Sequence, residues 1–546
     1  MLGLAEKIFK NEKGDLLDNL VQEGFFEDVD IWFAKKFGDD ISLFFVAAMM
    51  AFARNGHLSI EIEKGLKPGL GSIKESFEEK KWVEEKIILG AKEIKDLIIR
   101  DENRYYLKRN WLMETRVIEE LSRLWKRDVK QLDIGALLEV NKKQWEAIQM
   151  GLRSPLFILS GGPGTGKTFT IGKIVEKFLE SEKGRVILAA PTGKAAEQLK
   201  RQLKTDSDRV EVGTLHSLLK IKESKDIIWK RGYLKAGLLI IDECSMIDVS
   251  LLGAILQAVQ NDTRLILIGD QNQLPPVESG TVFGDLCHFA KEHLPNSYIH
   301  LDECMRTERK EILELAKNVK EGKGIKNFPI KNIMEENITF LEWEKMFPIP
   351  TKEVPDIEKL FQEMGKFRIL SCMKNGPWGV ESINKKMGDL LRKEVKSGFF
   401  FPIPIMVSRT NYRHQLCNGE PGILIKHSPS AYLEKEDTLY FVDPKNGFRS
   451  IPAILLSSFE YAYCLSVHKS QGSEYEHVAL IIPKGSEVFG KELLYTGITR
   501  AKSSLEIIGD EETIKKCCNK TSEKGSGVVA RLTKKLLEGV LLNILL

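Results

Sequence analysis

The sequence predicts an α/β protein with two doubly wound parallel sheets, a helical segment ahead of them and a small β-rich insertion late in the chain. Three observations carry this. A short apolar strand, LFILS (156–160), runs into the glycine-rich turn GGPGTGKT, and further apolar strands recur at 185–190, 238–242 and 264–269 with helical stretches between them. That alternation is the pattern of a buried parallel sheet flanked by helices. A second alternation follows at RILSC (368–372), HVALIIP (477–483) and SLEIIG (504–509), without a phosphate loop of its own. Between its members, about 400–460, short β-rich runs broken by Asn-Gly, Pro-Gly and Lys-Asn-Gly turns predict a small barrel.

A chain of 546 residues exceeds what one core holds and divides into several domains. Residues 1–110 carry apolar side chains at three-and-four spacing and read as a helical domain without a chemical motif. Its Leu43, Phe44, Met49, Met50 and Phe52 are helix-packing core or, in the alternative, a face for a partner. The expected boundaries are 1–110 for this domain, 111–300 for the first sheet and 301–546 for the second. Residues 111–130, WLMETRVIEELSRLWKRDVK, predict an amphipathic helix leading into the first sheet.

A net charge of +3 does not announce a nucleic-acid partner, although a local basic groove fits within it. The eight cysteines all lie from Cys244 onward and form no C-x-x-C pair, which points away from a disulfide framework or a zinc site. Adjacent Cys517 and Cys518 read as small packing residues. The opening MLGLAEKIFKNEKGD contains acidic residues and no long apolar run, unlike a signal peptide, and no stretch is apolar for long enough to span a bilayer. A reduced, cytoplasmic protein is expected.

The phosphate loop is the first chemical signal. Gly161, four residues, then Gly166-Lys167-Thr168 satisfies G-x-x-x-x-G-K-[ST]. Gly161, Gly162, Pro163, Gly164, Thr165 and Gly166 form a turn whose backbone N–H groups converge into a nest for phosphate oxygens. The helix that follows adds its positive end. Lys167 supplies a cation to the β- and γ-phosphates, and the Thr168 hydroxyl suits Mg²⁺. The cofactors expected are ATP and Mg²⁺.

Two carboxylates, Asp242 and Glu243, follow the strand LLIID at its carboxyl edge, where α/β sheets place their sites. Asp242 suits Mg²⁺, and Glu243 suits the general base that polarises the attacking water. A third strand ends in GDQNQLPP, by itself a polar turn, from which a glutamine, Gln273, can reach the γ-phosphate because it stands beside Asp242 and Glu243 in the same sheet.

In order, GGPGTGKT, APTGKAA (190–196), TLHSLL (214–219), IIDECSMID (240–248), GDQNQLPPVESG (269–280), SVHKSQGSEYEHVALI (466–481) and YTGITRAK (495–502) resemble the superfamily 1 helicases. More narrowly, CMKNGPWGVESIN (372–384), CNGEPGI (417–423) and TSEKGSGV (521–528) are similar to the RecD family, the α subunit of exodeoxyribonuclease V. The resemblance is dense over 141–300 and 465–528, patchy between them, and undetectable by motif before 140.

The resemblance implies two RecA-like P-loop NTPase domains with an SH3-like β insertion in the second motor domain. It implies an ATP-dependent helicase moving 5′ to 3′ on single strands from duplex ends, with RecB-like and RecC-like subunits. Gln144 matches the adenine-reading glutamine, and Arg306 and Arg500 match arginines that meet the γ-phosphate from the second domain. Pro191, Thr192, Thr214 and His216 fall in the strand-contacting motifs of the first domain, and Ser466, His468 and Ser470 in those of the second. Trp378 is either a base-stacking residue or core. The sequence departs from the family at Cys244, Phe169 and Gly497, none of them a catalytic group. Any strand-splitting pin between Leu219 and Gly237 is small, and no nuclease-type carboxylate cluster is evident. Two alternatives stay open: a stand-alone RecD-like helicase, and a nucleotide-switched DNA clamp that does not translocate.

Overall fold

The computed structural model describes residues 20–22, 26–38, 42–62, 87, 97–132, 134–135, 139–203, 207–221, 232–303, 310–325, 328–332, 347, 350–393, 398–411, 413–430, 432–443, 447–456, 458–522 and 524–545, with side chains to 537. Arg306 and most of the segment expected to hold a pin lie outside the described residues.

Among the described residues of the N-terminal region are the helices α1 (Asp28–Phe37) and α2 (Leu43–Arg54). Phe44, Met49 and Phe52 of α2 are buried, so that run is core, as its spacing predicts. Three short strands accompany the helices: β1 (Ser59–Glu61), β2 (Ile98–Asp101) and β3 (Arg104–Leu107), an antiparallel sheet ordered β1-β3-β2. They were not visible in the helical reading, because runs of three or four residues carry too little alternation to register.

Helix α3 (Lys108–Trp125) and helix α4 (Lys142–Arg153) lead into β4 (Leu156–Gly161) and α5 (Lys167–Ser181). After these come β5 (Val186–Ala190), α6 (Gly193–Leu203), β6 (Val210–Thr214), β7 (Leu238–Ile241), α7 (Val249–Ala258), β8 (Arg264–Gly269), α8 (Val282–His293) and β9 (Tyr298–Leu301). The six strands pair in parallel in the order β6-β5-β7-β8-β4-β9. Strand β8 therefore lies between the phosphate-loop strand β4 and the carboxylate strand β7, so three motif-bearing loops emerge side by side at one edge. Helices α4, α5 and α6 cover one face, and α3, α7 and α8 cover the other.

The second sheet begins after α9 (Lys310–Lys320) with β10 (Ile330–Asn332), α10 (Ile357–Met364), β11 (Phe367–Ser371) and α11 (Val380–Lys393). The insertion follows as β12 (Phe401–Val407), β13 (Pro421–Lys426), β14 (Thr438–Asp443), β15 (Gly447–Pro452) and β16 (Phe459–Tyr461), an antiparallel sheet ordered β15-β14-β13-β12-β16. Its two end strands are not paired with each other, so this is a five-stranded sheet and not a hydrogen-bonded closed barrel. The chain resumes the parallel sheet with β17 (Cys464–Ser466), β18 (Tyr475–Ile482), α12 (Lys491–Ile498), β19 (Ala501–Gly509) and α13 (Glu511–Asn519). Its order is β10-β19-β18-β11-β17, all parallel.

The last helix, α14 (Val528–Leu545), leaves the second sheet and returns to the first. Val528 and Leu532 are buried in the same core as Val117, Leu121 and Phe289. The segment leading to it ties three regions together. Gly525 N–H donates to His57 Nδ1 (2.8 Å) and its carbonyl accepts from Leu58 N (2.8 Å). Lys524 Nζ donates to the carbonyls of Pro276, Val277 and Glu278. Arg531 pairs with buried Glu114 (3.0 Å) and stacks over Trp111.

Candidate active site

The phosphate loop turns between β4 and α5 with Gly164 and Gly166 at positive φ (76° and 83°). At Gly166 an added Cβ would stand 2.5 Å from Gln144 Nε2, which would have to shift, and the positive φ is what requires glycine there. A Cβ at Gly161 would meet Thr165 Oγ1 at 2.7 Å, and one at Gly162 would meet the Tyr495 hydroxyl at 3.0 Å. Lys167 Nζ folds back on the loop and donates to the carbonyls of Gly161 (2.7 Å) and Gly162 (2.9 Å). Pro163, Gly164, Gly166, Lys167 and Thr168 line a cleft of about 860 Å³ between the two sheets.

Asp242 and Glu243 open into the same cleft from the end of β7. Glu243 has φ 55°, a left-handed backbone unusual for a residue with a side chain, and its N–H donates to Asp242 Oδ1 (2.8 Å). Burial pushes the Asp242 carboxyl up, opposed by the Lys167 ammonium and the Glu243 N–H. Burial and the neighbouring Asp242 charge push Glu243 up to about 7, against the pull of Arg500 and Lys167. One carboxylate is thus held beside a cation while its neighbour is poised to take a proton.

The loop after β8 supplies Gln273, which is buried. Its Oε1 has no hydrogen-bond partner among the described residues, although it lines the cleft. A buried acceptor without a donor suits a water or a hydroxyl brought in with a ligand. Asp270, three residues earlier, accepts from the Tyr495 hydroxyl across the cleft (2.8 Å). Leu274 N donates to Thr496 Oγ1 (2.9 Å), and Gln471 Nε2 donates to Leu274 O (3.1 Å). The loop that carries Gln273 is therefore anchored to the second sheet. Asp270 and Tyr495 were not picked out from the sequence, although both lie inside quoted motifs; only their pairing marks them.

Arg500 reaches the cleft from the far side, just past α12. Its guanidinium is buried and held by three bonds: Nε to Thr496 O (3.0 Å), Nη1 to Ser473 O (3.0 Å) and Nη2 to Thr499 Oγ1 (3.2 Å). Gly497 stands in this turn because a Cβ there would lie 2.7 Å from Leu480 Cδ1, which accounts for the missing alanine. Arg306 is the one expected cleft residue outside the described residues.

Gln144 is buried and forms a capping box with Asn141: its N–H donates to Asn141 Oδ1 (2.8 Å) and its Oε1 accepts from Asn141 N (3.2 Å). Its Nε2 faces Gly166.

The residues expected at the strand track lie at the carboxyl ends of their strands. Pro191 and Thr192 follow β5, with Thr192 Oγ1 accepting from Ala195 N (3.2 Å). Thr214 caps a single helical turn through Ser217 N, and His216 in that turn is exposed. Ser466 ends β17, and His468 lines a second cavity with it, where burial lowers its basicity. Ser470 differs from expectation: it is fully buried and its hydroxyl donates to Val467 O (2.7 Å), which turns its side chain inward. Trp378 packs, partly buried, against the core of the second sheet. Cys417 of the insertion approaches Gly193 closely, 3.1 Å from where its Cβ would be, so the insertion reaches the start of α6.

The cleft fits a nucleotide with a divalent cation. Among the described residues no group of three or more His, Cys, Asp or Glu side chains is arranged to hold a metal. A cation here would need phosphate oxygens to complete a shell begun by Thr168 and Asp242, which is the habit of Mg²⁺.

The family described as AAA domain matches residues 139–333, and the family described as UvrD-like helicase C-terminal domain matches residues 461–508. The RecBCD enzyme subunit RecD of Buchnera aphidicola subsp. Schizaphis graminum is 28% identical over an alignment covering 91% of this chain and 98% of that protein. The ATP-dependent RecD2 DNA helicase of Deinococcus radiodurans is 28% identical over 64% of this chain and 46% of its own length. A solved Pif1 helicase from Bacteroides, in complex with ADP-AlF3 and ssDNA, is 16% identical, with a TM-score of 0.41 over 74% of this chain and 98% of that one.

Proposed function

We infer that this chain, a RecD-like helicase of superfamily 1, is an ATP-dependent DNA helicase acting as a subunit of an exodeoxyribonuclease V complex. One observation carries the reading. The phosphate loop, the Asp242–Glu243 pair, Gln273 and Arg500 converge from two separate sheets on one cleft, and a cleft so built opens and closes as nucleotide turns over.

In this reading the loop N–H groups from Gly161 to Thr168 cradle the phosphates and Lys167 leaves the loop carbonyls for the β- and γ-phosphates. Thr168 and Asp242 would hold Mg²⁺, which supplies charge neutralisation at the transferring phosphoryl group. Glu243 takes the proton of the attacking water, and the free Oε1 of Gln273 orients that water. Arg500, and Arg306 with it, neutralises charge that develops in the transition state, worth about 10³- to 10⁵-fold in rate. Gln144 braces Gly166 and offers its amide nitrogen to the adenine.

Pro191, Thr192, Thr214, His216, Ser466 and His468 hold a single strand through sugar–phosphate contacts without reading sequence. Ser470 supports the turn that carries His468. The region 401–461 covers that track in the manner of an SH3-like insertion. Closing the cleft changes the grip of each sheet on the strand, so hydrolysis biases movement by population shift. We assign 5′ to 3′ movement from duplex ends, RecB-like and RecC-like partner subunits, a cytoplasmic setting, and a role in double-strand break repair and homologous recombination. Support for the subunit over the stand-alone reading is the match to RecD across 91% of this chain.

The test is steady-state ATPase with and without single-stranded DNA, beside Lys167→Gln. Strong stimulation that the variant loses supports the motor, and displacement of a strand only from substrates with a 5′ tail supports the direction. DNA binding without stimulated turnover, persisting when the partner subunits are added, refutes the motor in favour of a clamp.

A further inference from the structure

A second set of contacts crosses the cleft beside Arg500. Lys194 is the second residue of α6, two residues after Thr192. Its Nζ donates to Ser473 Oγ at 2.5 Å and lies 5.7 Å from the centre of the Tyr475 ring. Both partners belong to the second sheet's SQGSEY segment and are buried. Gly472, at φ 69°, lets this segment come against α6, where its Cβ position is 3.8 Å from Ala195 Cβ.

Ser473 faces two ways. Its hydroxyl takes the Lys194 ammonium of the first domain, and its carbonyl takes Nη1 of Arg500. The other two guanidinium bonds of Arg500 go to Thr496 and Thr499; Thr496 takes Leu274 N of the first domain through its hydroxyl, so the Ser473 bond is the one that relates Arg500 to Lys194 and the start of α6. Tyr475 closes the unit: its N–H donates to Arg500 O (2.9 Å), and Arg368 lies 5.2 Å from its ring. Burial pushes the Tyr475 phenol up, but the Lys194 and Arg368 cations outweigh it and hold the phenol below its ordinary value.

We propose that Lys194 is a positioning residue that reports strand occupancy at Pro191 and Thr192 to Arg500 through Ser473. The inference rests on the helicase reading and adds to it the physical link between DNA and hydrolysis. A strand held on the loop after β5 fixes the start of α6. Lys194 then holds Ser473, and the Ser473 carbonyl sets the guanidinium at the γ-phosphate. Without the strand the same atoms are free to part, and Arg500 loses the bond that ties it to Lys194.

The test compares the full-length chain with Lys194→Ala, Ser473→Ala, the double variant and Lys194→Arg, measuring ATP turnover against single-stranded DNA concentration. A charge-assisted bond between the sheets is worth about a tenfold change in the DNA-stimulated rate. The expected result is that fall in Lys194→Ala and in Ser473→Ala, with DNA-free turnover and half-saturating DNA unchanged. The double variant falls no further than either single one, and Lys194→Arg recovers most of the loss. A raised half-saturation point at unchanged maximal rate overturns the proposal, since Lys194 would then be a DNA phosphate contact. An equal fall with and without DNA also overturns it, and so does additivity in the double variant. A wild-type chain indifferent to DNA refutes the helicase reading itself, a distinct result.

Discussion

Acid titration of turnover tests the assignment of Glu243, because the group that must accept a proton from water is itself pushed up to about 7 by burial and by the Asp242 charge. A carboxyl at that value is about one-tenth ionised near pH 6, half ionised near pH 7 and about nine-tenths ionised near pH 8. If only ionised Glu243 serves as base, kcat/KM rises about tenfold between roughly pH 6 and pH 8, since that parameter reports the free enzyme. A glutamate at its ordinary value is almost wholly ionised across that window and leaves the profile flat. The assay is DNA-saturated ATPase at low ATP across the window, run beside Glu243→Gln. That variant falls by about 10²- to 10⁴-fold through loss of the base, and its residual activity loses the part of the acid limb that Glu243 contributes. The nucleotide's own phosphate ionisation remains in both, so the variant separates the two titrations. A flat wild-type profile, or a limb of unchanged midpoint in Glu243→Gln, refutes the reasoning.

Three further outcomes follow from the geometry. Gly166→Ala forces a Cβ to a position 2.5 Å from Gln144 Nε2 at φ 83°, and the left-handed strain alone, about 1–2 kcal/mol, raises the nucleotide Kd roughly tenfold in a fluorescent-ADP titration. Gly284→Ala in α8, with nothing within 4 Å of the added Cβ, leaves that Kd unchanged. Glu114→Ala strips the carboxylate from partly buried Arg531 and the acceptor from Gly527 N–H, costing about 3 kcal/mol, read as a lower denaturant midpoint. His57, which accepts from Gly525 N–H, is lowered to about 4 by burial and then by Lys524. The native state thus favours neutral His57, so its contribution is complete above an unfolded value near 6.5 and disappears as pH falls toward 4. At most about 3 kcal/mol is lost there, and His57→Gln flattens the change in thermal midpoint across that range.

Much of the fold was legible because its strands are buried on both faces and read as continuous apolar runs: 156–160, 185–190, 238–242 and 264–269 all recur within a residue or two as strands of the first sheet. The two strands that escaped it there, β6 and β9, lie at the sheet's edges, where half-exposed positions dilute the apolar signal. Most of the cleft was legible too, since Lys167, Asp242 and Glu243 lie in local motifs whose spacing carries the chemistry, Gln273 lies in a turn beside them, and Arg500 entered through the family resemblance. Ser470 misled because a serine in a strand-contacting motif carries no mark of which way its hydroxyl turns.

What the sequence alone determined is each half of the machine: a phosphate loop that only those glycines permit, carboxylates at a strand end, and an arginine in a motif that resembles the family's. What only the tertiary structure decided is how the halves meet. Tyr495 finds Asp270 across 225 residues of chain, Lys194 finds Ser473 across 279, and α14 returns to the first sheet's core after the second is complete. Periodicity reports which face of an element is apolar and spacing reports a local turn. Neither names a distant partner, because that choice is made by packing two whole sheets against one cleft.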